Sequence, residues 1–105
     1  MKEITPLQLH QWRESAQPHQ LIDIREEHEV LACSIGGEHI PMAEVLNHKD
    51  KIRTDVDVVF HCRSGKRSAA MVYTLEKKWR LKNLYSLKGG ITAWAEEVDK
   101  TLAKC

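Results

Sequence analysis

Short apolar runs alternate with longer amphipathic stretches along this chain. The clearest run is Asp57–His61, where Val58, Val59 and Phe60 predict a buried strand. Residues 20–24 predict a second, because Leu21, Ile22 and Ile24 are too apolar for a surface edge. Shorter extended pieces fall at 3–5, 39–41 and 84–86. Between them lie helical patterns. Thr5 as N-cap and Pro6 at the first helical position open a helix carrying Leu7, Leu9 and Trp12, which fades by Gln17 and Pro18. Residues 26–32 and 42–48 form short helices, and residues 68–79 a longer one. A last helix follows Gly89 and Gly90, with Ile91, Ala93, Trp94, Val98 and Leu102 for packing. Alternating strands and helices with short connections imply an α/β fold: a small, mostly parallel twisted sheet of about five strands with helices on both faces.

Composition narrows the class. One domain, 1–105, is expected from 105 residues, and 42% hydrophobic with 30% charged residues is a soluble globular balance. The net charge of +1 lacks the basic excess of a nucleic-acid binder. No stretch approaches the roughly 20 apolar residues that span a bilayer, and no signal-peptide pattern opens the chain. A cytoplasmic monomer is expected. The three cysteines, Cys33, Cys62 and Cys105, are too few and too scattered for a disulfide framework, and none forms a C-x-x-C pair. The histidines lack metal-ligand spacing, so no metal is expected.

The candidate chemistry sits after the clearest strand, at His61-Cys62-Arg63-Ser64-Gly65-Lys66-Arg67-Ser68. Ligands of parallel sheets bind beyond the carboxyl ends of strands. A strand–loop–helix turn there aims backbone N–H groups inward as an anion cradle. The helix N-terminus and the cations Arg63, Lys66 and Arg67 add positive potential, which favours a thiolate. Gly65 lets the backbone curl, while Ser64 and Ser68 offer hydroxyl donors, Ser68 also as a helix cap. A lone cysteine after a strand is more often a small core residue, but three cations within five residues weigh against that. Strand alternation turns His61 away from Cys62.

These segments resemble the rhodanese family over nearly the whole chain. Leu21-Ile22-Asp23-Ile24-Arg25-Glu26 is similar to its first hallmark and His39-Ile40-Pro41-Met42 to its next segment. Residues 58–68 resemble its active-site strand and loop, and Gly89-Gly90-Ile91-Thr92-Ala93-Trp94 its C-terminal signature. The resemblance implies a sulfurtransferase in which Cys62 takes sulfur from a donor as a persulfide and passes it to a nucleophilic acceptor. Its loop, Arg63 to Ser68, would bind small sulfur anions such as thiosulfate, with Arg67 orienting the anion and Arg63 and Lys66 turned outward to choose a donor or protein partner. No cofactor is implied. The phosphatase pattern H-C-x5-R is one residue longer than Cys62 to Arg67, which disfavours phosphatase or arsenate chemistry. The remaining alternative is a non-catalytic rhodanese-like module.

Asp23 and Arg25 read as structural support for the loop, Asp23 accepting from loop amides and Arg25 pairing with a carboxylate. Cys33 and Cys105 are given ordinary roles, and Trp12, Trp79 and Trp94 are read as packing aromatics. The stretch 32–38 departs from the commoner Gly-His-Ile-x-Gly-Ala turn. It resembles rhodanese domains fused to activating enzymes for ubiquitin-like sulfur carriers, so a sulfur-carrier protein, or a cysteine desulfurase as donor, is an expected partner.

Overall fold

The computed structural model describes residues 1–102. Five strands, β1 (Lys2–Ile4), β2 (His19–Asp23), β3 (Glu38–His39), β4 (Asp57–His61) and β5 (Leu84–Leu87), form one sheet in the order β1-β5-β4-β2-β3. Every neighbouring pair is parallel. The helices are α1 (Pro6–Glu14), α2 (Glu27–Ala32), α3 (Lys66–Trp79) and α4 (Gly90–Glu97), with short 3-10 turns at Met42–Asn47, Lys49–Lys51 and Lys100–Leu102.

Strand alternation sorts the core into two layers. Ile22, Val58, Phe60 and Leu84 pack with Met71, Val72 and Leu75 of α3, and with Val45 and Ile52. On the opposite face Ile4, Leu21, Val59 and Leu87 meet Leu9 of α1 and Ile91 and Trp94 of α4. Burial of each such side chain contributes about 1.5–3 kcal/mol. α1 starts where expected. The Thr5 hydroxyl accepts the Gln8 amide at 3.1 Å, and the Gln8 side chain accepts the Thr5 amide at 2.9 Å.

Two expectations are corrected. α3 begins at Lys66 rather than 68, because Gly65, at φ +98°, takes the N-cap place and Ser68 falls inside the first turn. The last helix is not continuous to Leu102: α4 stops at Glu97, and a separate 3-10 turn carries Leu102. Among the described residues no helix is long and apolar enough to cross a membrane.

Candidate functional site

Cys62 follows the last residue of β4 and shares the face of Val58 and Phe60, so its side chain enters the α3 layer and is fully buried. Two backbone amides converge on its sulfur. Gly65 N lies 3.1 Å and Ser68 N 3.4 Å from Cys62 Sγ. Both belong to the N-terminal end of α3, where amides have no intrahelical acceptor. The left-handed Gly65 closes the four-residue turn, 62–65, that leads from strand to helix. The Ser68 hydroxyl lies 3.6 Å from the sulfur and 3.2 Å from the Gly65 carbonyl.

The loop's carbonyls are drawn the other way. Ile91 and Thr92, in the first turn of α4, donate their amides to the Cys62 and Arg63 carbonyls at 2.9 and 3.1 Å. A peptide plane sets N–H opposite C=O, so the Arg63 and Ser64 amides point away from α4. This approach demands glycine. A Cβ on Gly90 would stand 2.5 Å from both the Cys62 and Arg63 carbonyl oxygens, at φ +59°. Gly65 packs on Gly89, where a Cβ would meet the Gly89 nitrogen at 3.1 Å.

The charged residues divide into paired and free. Arg67 makes a two-pronged pair with Glu29 of α2, at 2.8 and 2.9 Å. The Arg67 hydrogen bonds hold the Glu29 carboxyl down at about 2. Arg67, expected to orient an anion, holds its guanidinium in this pair with Glu29. Arg63, Ser64 and Lys66 are exposed, and neither Arg63 nor Lys66 has an ion pair among the described residues.

Asp23 and Arg25 are both buried and hold each other, with Arg25 Nη2 2.7 Å from Asp23 Oδ2. Asp23 also accepts the Arg25 amide at 3.0 Å. Burial works against the Asp23 charge, but the Arg25 hydrogen bonds outweigh it and bring the carboxyl below its ordinary value. Arg25 reaches the Glu29 and Cys33 carbonyls. The pair thus braces α2 rather than the Cys62 loop, which it touches through Glu29 and Arg67. Cys105 lies outside the described residues.

His61 turns to the face opposite Cys62, as alternation requires, and is fully buried. Its Nε2 is 3.6 Å from Asp23 Oδ2, too far for a hydrogen bond. Burial pushes its imidazole down to about 4, against the pull of Asp23. It is therefore neutral near pH 7.

Beside the loop opens a cleft of about 220 Å³, bordered by Arg25, His28, Glu29, Ala32, Arg63 and Ile91. The sequence pattern does not mark two of the contributors. Glu29 reads as one more acid of an exposed helix, and Ser86 as one residue of a strand. Only the fold brings Ser86 Oγ to 2.7 Å from Ser68 Oγ.

Comparison with known proteins agrees with this architecture. A family model described as a rhodanese-like domain matches residues 5–97. An uncharacterized Bacillus subtilis protein, YqhL, is 36% identical over 80 residues, covering 75% of this chain and 63% of its own length. MoeZ of Mycobacterium tuberculosis, described as a probable adenylyltransferase/sulfurtransferase, is 32% identical over 99 residues, 91% of this chain but 25% of that protein. The chain thus spans less than two thirds of both relatives. The crystal structure of a rhodanese-related protein from Thermoplasma volcanium superposes with a TM-score of 0.81 at 28% identity, covering 93% of this chain and 94% of that one.

Proposed function

The chain belongs to the rhodanese-like domain family, and on that footing we propose that it is a sulfurtransferase whose sulfur is carried as a persulfide on Cys62. One observation carries the reading: the Gly65 and Ser68 amides both point at Cys62 Sγ. Fixed donors aimed at one atom stabilise negative charge there, and both the thiolate and the persulfide are anions.

The chemistry balances in two displacements. The Cys62 thiolate attacks the outer sulfur of thiosulfate, the S–S bond breaks, and sulfite leaves with the bonding pair. A nucleophilic acceptor, such as cyanide or a thiol, then attacks the outer sulfur. The new S–S bond breaks in turn, and its electron pair returns to Cys62 as thiolate. The protein's part is to hold the anion at each stage, with Gly65 and Ser68 as donors. Arg63 and Lys66, without an ion pair among the described residues, attract an anionic donor or an acidic protein surface.

The Arg67–Glu29 pair supports sulfur transfer over phosphoryl transfer, since a phosphate cradle needs the arginine that Glu29 here retains. The complete burial of the thiol favours the second reading, a regulatory domain without turnover. A thiosulfate:cyanide assay separates them. Turnover by the wild type and its loss in Cys62→Ser supports the enzyme; no rate above the uncatalysed background from either protein supports the regulatory domain.

A further inference from the structure

Ser86 lies on β5, fully buried, and no part of the proposed reaction uses it. Its hydroxyl meets the Ser68 hydroxyl at 2.7 Å, where either oxygen can be the donor. Ser68 in turn lies between two acceptors, Cys62 Sγ at 3.6 Å and the Gly65 carbonyl at 3.2 Å. A hydroxyl has one proton, so Ser68 serves one of them at a time. The Gly65 carbonyl does not depend on it, because the Ala69 amide reaches the same oxygen at 3.0 Å. Ser68 can therefore turn to the sulfur without leaving a buried carbonyl unsatisfied.

We propose that Ser86 is a positioning residue that directs the Ser68 hydroxyl onto the sulfur when the sulfur is charged. With a neutral thiol, the S–H donates to Ser68 Oγ and Ser68 donates to Gly65. When the proton leaves, Ser68 rotates to donate to Sγ, and Ser86 donates to Ser68 Oγ. Two hydroxyl dipoles then align head to tail toward the negative atom, and each polarises the next. Buried on the α3 side of the sheet, the pair keeps its orientation without competition from water. The inference rests on the reading of Cys62 as a nucleophile, but it concerns the charge on sulfur and not the transfer itself.

The thiolate can be followed directly by its ultraviolet absorbance, with Cys62→Ser as the blank for the other cysteines. This readout needs neither a substrate nor access to the buried atom. Cooperative strengthening of about 10–30% per bond sets the expected scale. Ser86→Ala is expected to lower the thiolate fraction on the rising part of the titration by about twofold, and Ser68→Ala by more. The decisive comparison is the double variant. If Ser86 acts through Ser68, Ser86→Ala changes nothing further in a Ser68→Ala background. A titration unmoved by Ser86→Ala, or moved equally in both backgrounds, overturns the proposal. The proposal and the enzyme assignment fail separately: a protein that shows this coupling yet never accepts sulfur loses the assignment alone, and one that turns over with no coupling loses the proposal alone.

Discussion

Arg67 and Glu29 face each other across two hydrogen bonds of 2.8 and 2.9 Å, tying the first turn of α3 to α2. The pair sets a carboxylate beside the cation nearest the end of the loop, while the hydrogen bonds to the sulfur come from backbone amides and the Ser68 hydroxyl. It also fixes α2, whose backbone otherwise relies on Arg25. Glu29→Gln removes one charge and keeps the shape. We expect a loss of about 1 kcal/mol in urea unfolding at pH 7, the upper end for a partly exposed pair. The sign with pH follows from the depressed carboxyl. The pair's stabilisation is full above about 4.5 and fades as pH falls toward about 2. The wild-type advantage over Glu29→Gln should therefore vanish in acid, and a difference that persists there contradicts the ion-pair account.

His61 gives a separate acid response. Folded, it titrates near 4; unfolded, near the ordinary 6.5. Between those values the unfolded chain binds a proton that the folded chain refuses, so stability falls as pH drops from about 6.5 to about 4 and then levels. The whole change amounts to about 3 kcal/mol. The Asp23 and Glu29 carboxyls, both depressed, act below their ordinary values of 3.8 and 4.5, so a comparison held at pH 4.5 and above isolates His61. Urea unfolding at pH 7 and pH 4.5 should show the loss in the wild type and a much smaller one in His61→Asn. Equal losses in both proteins would place the response elsewhere.

Gly90 tests the seat of α4 on the loop. Gly90→Ala puts a methyl group against the Cys62 and Arg63 carbonyls, at 2.5 Å from each, and strains a left-handed backbone. We expect a destabilisation of about 3 kcal/mol or more. Gly36→Ala is the control: it shares the positive φ, but its Cβ would meet only the end of the flexible Arg13 side chain at 3.5 Å. It should cost about 1–2 kcal/mol. Equal losses in the two would mean that backbone strain, not the approach to the loop, sets the requirement for glycine.

Lys66 is exposed and unpaired among the described residues, at the start of α3. If it gathers anionic donors at the rim, Lys66→Ala should raise KM for thiosulfate by about fivefold with kcat little changed, since it contributes uniform binding. The difference should shrink as salt is added. A fall in kcat at constant KM would instead put Lys66 at the reacting atoms.

Much of this architecture was legible in the sequence, and the reasons for the exceptions are physical. Val58, Val59 and Phe60 announced β4 to the residue, because a buried parallel strand is a continuous apolar run. Thr5 and Pro6 announced the start of α1, because capping is local chemistry. Cys62 stood out through its cations and its place after that strand. The start of α3 was misplaced because a left-handed glycine can end a loop as readily as fill it, and Gly65 proved to be the cap. The fate of Arg67 was hidden because its partner lies 38 positions away on a helix whose other acids are exposed. Ser86 was hidden for a similar reason: only the register of β4 with β5, Phe60 beside Ser86, delivers it to the sulfur's side of the sheet.

The central claim is that the amides of Gly65 and Ser68 hold a negatively charged sulfur at Cys62 ready to accept another. Intact mass spectrometry of the protein after brief treatment with thiosulfate, without reductant, tests it most directly. The account predicts one added sulfur atom on the wild type, lost on adding dithiothreitol and never gained by Cys62→Ser. Mass unchanged with thiosulfate, and equally with a low-molecular-weight persulfide as donor, would contradict it.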